Sequence, residues 1–370
     1  MSGVGKGVTS SCIGFLLEAR GFNVTALKID PYINVDAGTM NPTEHGEVFV
    51  LKDGLETDQD MGNYERFLGK DLPSINYMTT GSVYLSVIQK ERNLEYAGKN
   101  VEVVPDIPLE VISRIKKAQK AANADVVLVE IGGTVGEYQN VLFLEAVRMM
   151  KTEHANDVAV VMVSYLPVPG SIGEMKTKPT QTAVRTLNSA GVFADLIVAR
   201  SSLPIDQKRK QKIATFCNVK AENVISAPDV QSIYDIPLNY ENDQFSLRLC
   251  QQLGLPTKQP AELSTWKKFV ARSKNGNDTV KIAVVGKYFN SGDFVLSDVY
   301  LSVIEALKYS AYSLNLKPQI TYLSAQDFSD KEKLKELKKF DGVLVPGGFG
   351  STGIEGKLNV IEYVRKQKIP

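Results

Sequence analysis

The sequence predicts an α/β protein built on a doubly wound parallel sheet, with a P-loop type of phosphate-binding turn. Three observations support this class. A glycine-rich segment, residues 3–8, runs directly into a helical pattern. Continuous apolar runs typical of buried strands recur at 24–29, 124–129, 158–163 and 195–199, with helical stretches between them. Lysines and carboxylates follow several of these runs, at the edge where open α/β sheets bind their ligands.

Length and charge limit the possible functions. A chain of 370 residues exceeds the usual single-domain size, so we expect two domains. The 43 basic and 42 acidic residues nearly cancel, which argues against bulk attraction to nucleic acid or membranes. We find no apolar stretch long enough for a bilayer and expect a cytoplasmic protein. The cysteines are widely spaced and are predicted to be buried, reduced thiols: Cys12, Cys217 and Cys250.

The glycine-rich segment is the first candidate site. Gly3, Gly5 and Gly7 allow backbone N–H groups to converge, while Lys6 and the following helix N-terminus add positive charge. This combination predicts a nucleoside triphosphate. Gly7 stands where Ser or Thr usually binds Mg²⁺, so the match to the standard pattern is imperfect. The alternative is a glycine-rich helix entry without a ligand.

A magnesium site is predicted from two carboxylates. Glu130 follows a buried apolar run, and Asp60 lies in an acidic segment between glycine turns. Mg²⁺ usually takes one or two carboxylates together with substrate phosphates, and no hydroxyl follows Lys6 directly. Asp60 and Glu130 are therefore the candidate ligands. For the acidic segment alone, a solvated loop is the alternative.

A second anion site is predicted at residues 176–181. Lys176 and Lys178 precede a helix that Pro179 opens, which suits a second polyanion. A surface lysine turn is the alternative interpretation. The basic run 208–212 lies on a predicted helix that mostly faces solvent, and we expect Lys212 to turn inward.

The composition of the sequence changes after residue 254. Residues 255–278 are predicted to be a linker with one amphipathic turn. A further α/β unit follows, with strands at 280–285, near Ile320 and at 342–345, and helices at 296–314 and 331–337. We therefore predict domains at 1–254 and 279–370.

Taken together, these motifs resemble the CTP synthase family, glutamine-dependent ligases that aminate UTP. The resemblance covers nearly the whole chain. It rests on residues 2–7, 28–36, 44–50, 62–67, 130–134, 176–181 and 346–350. It implies a synthetase domain that lacks its first strand, followed by part of a class I glutamine amidotransferase α/β domain.

The resemblance also implies site residues. It implies ATP binding, with Lys6 as the catalytic lysine, by Gly3, Val4, Gly5, Lys6, Gly7, Val8, Asp60, Asp229 and Val230. It implies UTP or CTP binding by Ser2, Glu137, Tyr138, Gln139, Lys176, Thr177, Lys178, Pro179, Thr180, Gln181 and Lys212. Lys28 is implied on the phosphate side, Asp60 and Glu130 as Mg²⁺ ligands, and Gly347 and Gly348 as glutamine or oxyanion-hole residues.

The implied reaction is phosphorylation of uracil O4 by ATP, followed by displacement of phosphate by ammonia. Glutamine or free ammonia is the nitrogen source, CTP is a feedback inhibitor, and the family assembles as homotetramers. The sequence departs from the family at 136–139, where we expect Glu137 to keep part of the pyrimidine-contact role. It also ends at Pro370, before the family's nucleophilic cysteine, so we expect no glutamine hydrolysis by this chain.

Two other functions remain open at this point. One is an ATP-dependent carboxylate ligase resembling dethiobiotin synthetase, which would share the phosphate loop and differ in substrate. The other is a non-catalytic nucleotide-binding or filament-forming relative. ATP consumption that requires both Mg²⁺ and UTP would separate the amination reaction from both.

Overall fold

The structure is a computed structural model that describes residues 3–170, 173–291, 294–295 and 298–370. These residues form two compact units. The first unit takes its residues from Met1–Asp36, Leu51–Leu55 and Asn63–Leu263. The second unit takes its residues from Ala37–Val50, Glu56–Gly62 and Ser264–Pro370. Two short segments of the predicted first domain thus belong to the second unit, while the predicted domain limits stay predictions.

Helices and strands alternate along most of the chain. The helices are α1 (Lys6–Glu18), α2 (Pro42–His45), α3 (Asp60–Leu68), α4 (Thr80–Arg92), α5 (Val103–Ala122), α6 (Val141–Glu153), α7 (Lys178–Ser189), α8 (Gln207–Cys217), α9 (Ile236–Asn242), α10 (Phe245–Gln252), α11 (Ser264–Lys274), α12 (Leu301–Ser313) and α13 (Ile354–Gln367). The strands are β1 (Val24–Asp30), β2 (Val48–Val50), β3 (Glu56–Asp58), β4 (Tyr77–Thr79), β5 (Val126–Ile131), β6 (Val161–Tyr165), β7 (Leu196–Ser201), β8 (Val224–Pro228), β9 (Asp278–Gly286), β10 (Asn290–Ser291), β11 (Phe294–Val295), β12 (Leu316–Ser324) and β13 (Gly342–Leu344).

The first unit contains two three-stranded parallel sheets, with strand orders β4-β1-β5 and β6-β7-β8. The apolar side chains of β1 explain its central place, because every residue from Val24 to Asp30 is buried. Helix α1 packs on β1 and β5. A separate apolar cluster joins β1 to α4, α5 and α6 through residues such as Leu27 and Val111. The predicted parallel α/β class is confirmed.

The second unit has a parallel sheet of its own, in the order β12-β9-β13. The antiparallel pair of β2 and β3 also belongs to this unit. Glu47 precedes β2 and accepts hydrogen bonds at the start of α12. Both of its carboxylate oxygens lie 3.1 Å from the Ser302 backbone nitrogen, and Oε2 also lies 2.7 Å from the Ser302 hydroxyl. A carboxylate at a helix N-terminus stabilises the unpaired amides there.

Several predicted elements differ in the structure. Helix α1 begins at Lys6, inside the glycine-rich segment 3–8, so Gly7 lies in its first turn. The amphipathic turn predicted within 255–278 is longer than expected, because Ser264–Lys274 form helix α11. The predicted helix at 331–337 is present as a 3-10 helix, Lys331–Lys339. The predicted helix at 296–314 begins at Leu301 after a 3-10 turn, and residues 296–297 lie outside the described residues.

Candidate functional site

The glycine-rich segment adopts a conformation that requires glycine. Gly3 and Gly5 have φ values of +68° and +86°, in the left-handed region that side chains disfavour. Gly5 is the N-cap of α1, and its carbonyl accepts the first helical hydrogen bond from the Thr9 N–H at 2.9 Å. Lys6, Gly7 and Val8 therefore supply first-turn amides, which have no intrahelical partner. Ser2 lies outside the described residues.

Arg200 is a site residue that sequence reasoning missed. It lies near the carboxyl end of β7, and a Cβ placed on Gly5 would be 3.6 Å from Nη1 of Arg200. Its Nη2 donates a hydrogen bond to Oδ1 of Asp229 at 2.9 Å. Arg200 therefore links Asp229, a candidate adenine-contacting residue, to the glycine-rich segment. Val230 follows Asp229 and is partly exposed. An arginine directly after the apolar run at 196–199 was the available signal.

The buried Nε of Arg200 has no hydrogen-bond partner within the described residues. A buried donor left unsatisfied costs roughly 1–3 kcal/mol. This guanidinium therefore has capacity for an anionic ligand beside the glycine turn.

A buried charged cluster lies at the carboxyl ends of β1 and β5. Lys28 and Glu130 are register partners, and Nζ of Lys28 donates to Oε1 of Glu130 at 3.0 Å. Tyr64 donates to Oε2 of the same carboxylate. Asp30 Oδ1 lies 3.7 Å from the Lys28 ammonium, and Tyr77 donates to Asp30 Oδ2 at 2.9 Å. One ammonium is thus held between two carboxylates that phenol groups orient.

Several predicted site residues line one cavity of about 830 Å³ in the first unit. At its edge near the strand ends, the lining includes Val4 and Lys6 of the glycine segment, Glu130, Thr134 and Pro179. Part of the candidate ATP site, one candidate metal ligand and one residue of the candidate pyrimidine loop therefore share a cavity.

The other candidate metal ligand, Asp60, belongs to the second unit, where it begins α3. Its backbone N–H donates to Oδ1 of Asp58 at 2.9 Å. Among the residues described, no group of three or more His, Cys, Asp or Glu side chains could bind a metal by itself.

Basic side chains gather about Glu174 in the candidate pyrimidine loop. Nζ of Lys176 donates to Glu174 Oε2 at 2.6 Å. This hydrogen bond and the charge of Lys176 lower the pKa of the Glu174 carboxyl, as do the charges of Arg209 and Lys212. Lys212 is exposed on α8, so the expectation that it turns inward is wrong. Lys208, Thr215 and Phe216, its neighbours on the same helix face, are exposed as well, so this face of α8 lies in solvent.

The second lysine of the loop lies at the start of α7. Lys178 begins this helix, Pro179 occupies its first turn, and both are exposed. Nζ of Lys178 lies 5.8 Å from the centre of the Phe216 ring on α8, a cation–π distance. The two lysines and Lys212 thus belong to one basic surface between α7 and α8.

The remaining loop residues are buried and anchor the loop. Thr180 and Ser164 share a hydrogen bond of 2.9 Å between their hydroxyl oxygens. Gln181 Nε2 donates to the Thr177 hydroxyl at 3.1 Å. The buried Oε1 of Gln181 has no hydrogen-bond partner in the described part of the chain. The buried side chains of Thr177, Thr180 and Gln181 therefore anchor the loop on its buried side.

The segment at 136–139, which departs from the family pattern, forms a turn held by hydrogen bonds to the Glu137 side chain. Glu137 Oε2 accepts from the Thr134 N–H and from Nε2 of Gln139, each at 3.0 Å. Tyr138 is 96% exposed. Glu137 therefore fixes the backbone after β5, while Tyr138 and Gln139 face solvent.

In the second unit, two buried lysines orient the turn that contains Gly347 and Gly348. Lys357 donates to the Pro346 and Gly347 carbonyls at 2.6 and 3.1 Å. Lys287 donates to the Phe349 carbonyl at 2.7 Å and to the Gly350 carbonyl. Neither the Gly347 nor the Gly348 N–H donates to a backbone carbonyl of the described residues. The turn directs its carbonyls to the lysines and leaves these amides for another acceptor.

The cysteines form no site. All three are buried and free, as predicted. Burial raises the pKa of each thiol, most strongly at Cys12, so the reactive thiolate is disfavoured. In the described ranges, no helix combines the length and apolar character that a bilayer crossing needs.

A glycine turn at a helix N-terminus, with charged groups at the ends of parallel strands, defines the first unit as a phosphate-binding α/β fold. Comparison with known proteins identifies the family within this class. The family model "CTP synthase N-terminus" matches residues 1–255, and the model "Glutamine amidotransferase class-I" matches residues 295–370. The chain belongs to the CTP synthase family.

Individual relatives agree with this assignment. A CTP synthase of Thermococcus kodakarensis is 48% identical over 371 residues, covering 100% of this chain and 68% of that protein. CTP synthases of Caldanaerobacter subterraneus subsp. tengcongensis and Bacillus licheniformis are 45% and 43% identical over the same length and shares. This chain thus spans about two thirds of the length of these relatives.

Proposed function

We propose that the chain carries out the ATP-dependent amination of UTP to CTP, a step of pyrimidine nucleotide synthesis. ATP transfers its γ-phosphoryl group to uracil O4, which releases ADP and turns O4 into a good leaving group. Ammonia then attacks C4, the C4–O4 bond breaks, and phosphate departs with the bonding electrons. Catalysis of this type depends mainly on positioning and charge stabilisation.

The observation that carries the proposal is the shared cavity edge of Lys6, Glu130 and Pro179. The first-turn amides of α1 and Lys6 bind the ATP phosphates, and Arg200 with Asp229 lies on the adenine side. Lys28, buried beside Glu130, acts on the phosphate side. The basic surface of Lys176, Lys178 and Lys212 binds the triphosphate of UTP or of the inhibitor CTP.

The charged cluster fits a magnesium ion. Two carboxylates, Asp30 and Glu130, lie about the single Lys28 ammonium, and hard oxygen donors of this kind suit Mg²⁺. Glu130 would hold the ion together with ATP phosphates, and the family resemblance implies Asp60 as a further ligand. When bound, Mg²⁺ neutralises charge on the transferred phosphoryl group.

The Gly347–Gly348 turn would serve glutamine hydrolysis. Its backbone N–H groups would donate hydrogen bonds to an oxyanion, while Lys287 and Lys357 hold the carbonyls of the turn. We expect self-association and a cytoplasmic location, as for the family. These assignments stay proposals.

The test is CTP formation by the purified chain with ATP, UTP and Mg²⁺. We expect CTP formation with ammonium chloride as the nitrogen source, and ATP consumption that requires UTP. Lys6→Ala should abolish the ammonium-dependent activity, whereas Lys274→Ala on α11 serves as the matched control. ATP consumption without any need for UTP would favour a ligase with another substrate. Absence of turnover together with tight binding of both nucleotides would favour the non-catalytic alternative.

A further inference from the structure

The charged cluster at the ends of β1 and β5 arranges two carboxylates about one ammonium. Glu130 Oε2 accepts a hydrogen bond from Tyr64, and Asp30 Oδ2 accepts one from Tyr77 at 2.9 Å. The other oxygen of each carboxylate faces Lys28, whose Nζ lies 3.0 Å from Glu130 Oε1 and 3.7 Å from Asp30 Oδ1. The phenols therefore take one oxygen of each carboxylate, and the ammonium lies beside the other.

This cluster is closely enclosed. Lys28, Asp30 and Glu130 are only 4%, 2% and 5% exposed. Gly132 comes so near that a Cβ on it would lie 3.0 Å from Asp30 Oδ1. A buried charge is costly unless an opposite charge lies beside it. The Lys28 ammonium is therefore the counter-ion of these carboxylates while no other cation is bound near them.

A magnesium ion would need the same carboxylate oxygens. Since Glu130 Oε2 accepts the bond from Tyr64, the oxygen that remains for an ion is Oε1, which already accepts from Lys28. Two cations held beside one buried oxygen repel each other strongly, because the surroundings screen charge poorly. The Lys28 ammonium and a bound divalent cation therefore compete for Glu130.

A bound triphosphate would change the outcome of this competition. Lysine carries its charge on a flexible stem, and the proposed function assigns Lys28 to the phosphate side of ATP. Phosphate oxygens would also supply ligands, since among the described side chains Asp30 and Glu130 belong to no group of three or more His, Cys, Asp or Glu that could hold a metal. The triphosphate thus offers the ammonium another anion and offers the ion further oxygens.

We propose that Lys28 is a displaceable counter-ion that makes metal binding at Asp30 and Glu130 conditional on a bound triphosphate. Without nucleotide, its ammonium neutralises the carboxylates and competes with Mg²⁺. With nucleotide, the ammonium pairs with phosphate, and the carboxylates become free for Mg²⁺. Linkage then requires that nucleotide and metal strengthen each other's binding by the same factor. The inference rests on the proposed function only for the identity of the ion and the polyanion.

The test is Lys28→Met in the full chain without nucleotide. Urea unfolding is measured with increasing magnesium chloride and, at matched ionic strength, with sodium chloride. An ion that binds the folded state alone raises its stability. We expect the urea midpoint of Lys28→Met to rise with Mg²⁺ and that of the unsubstituted chain to stay constant. Calorimetric titration should show Mg²⁺ binding at least about tenfold tighter in the variant, because a buried like charge is gone.

Two further variants control for a general effect of losing a lysine. Lys151→Met breaks another partly buried ion pair, in which Nζ of Lys151 lies 2.5 Å from Oδ2 of Asp195, outside the cluster. Its midpoint should not respond to Mg²⁺. The double variant Lys28→Met/Glu130→Gln removes the carboxylate for which ammonium and ion compete. It should also be insensitive to Mg²⁺.

A midpoint of Lys28→Met that ignores Mg²⁺ would overturn the proposal, and so would equal Mg²⁺ affinity in this variant and the unsubstituted chain. If Lys28→Met does not fold without the ion, refolding replaces the urea measurement. Recovery in magnesium chloride and not in sodium chloride supports the proposal, and failure in both contradicts it. CTP formation is not part of this readout. A chain that shows the Mg²⁺ response but makes no CTP would reject the proposed reaction alone, and the reverse result would reject this inference alone.

Discussion

The first unit contains two pairs of strands that look alike in sequence and differ in the structure. Within the described residues, β1 and β7 each have two neighbouring strands and are almost wholly buried, whereas β5 and β6 each have one and are mostly half-buried. Val198 and Val163 illustrate the difference, because they are register partners, yet only Val198 is fully buried. An apolar sequence alone therefore does not bury a strand in the interior of a sheet; the strand also needs a neighbouring strand on each side.

The largest expected effect lies where β1 and β5 share a buried ion pair. Lys28→Met leaves the Glu130 and Asp30 carboxylates without this ammonium, and removing one partner of a buried pair costs about 3–5 kcal/mol. Urea unfolding should show this loss. Lys176→Met, which removes an exposed pair with Glu174, should cost at most about 1 kcal/mol. Equal losses in the two variants would show that the Lys28 cluster is open to solvent.

The next effect tests the strand comparison directly. Val198→Ala should lower the free energy of unfolding by roughly 2–3 kcal/mol, because it removes buried methyl groups and leaves a cavity. Val163→Ala, the same change on the neighbouring strand, should cost about 1 kcal/mol, since this side chain is only partly buried. Equal costs in urea unfolding would contradict the contrast between β6 and β7.

A smaller effect concerns the carboxyl end of β7. Arg200→Gln should weaken ATP binding about tenfold, equivalent to about 1.4 kcal/mol, because a charged donor beside Gly5 is lost. Isothermal titration with ATP measures this change, and Arg272→Gln on α11 is the control. Unchanged affinity would remove Arg200 from the proposed ATP site.

The smallest effect concerns the loop after β6. Glu174→Gln frees Lys176 from its carboxylate, so UTP binding should strengthen about two- to threefold at low salt and less at high salt. Unfolding stability should stay essentially unchanged, because the pair is exposed. Weaker UTP binding in this variant would mean that Glu174 itself contacts the nucleotide.

The sequence predicted β1, β5, β6 and β7 to within a few residues, because continuous apolar runs identify buried strands. It did not predict the short strands β4 and β8. It could not show that α1 begins within the glycine-rich segment, at Lys6, because glycines have poor helix propensity. It missed α11, whose apolar residues are few, and Arg200, whose importance depends on contact with residues distant in sequence. From the sequence, Lys28 and Glu130 could be placed only near the ends of two strands. Their direct pairing depends on the strand register, which is set by the whole sheet.

The hydrogen bonds from Ser302 to Glu47 bear on where this chain could be divided. A fragment ending at residue 255, the limit of the first family match, would contain Glu47 and the β2–β3 hairpin. It would lack Ser302 and the rest of the unit in which these segments fold. In such a fragment the Glu47 carboxylate would have no helix to cap. We therefore expect a chain divided at this boundary to fold poorly, although sequence similarity suggests the boundary.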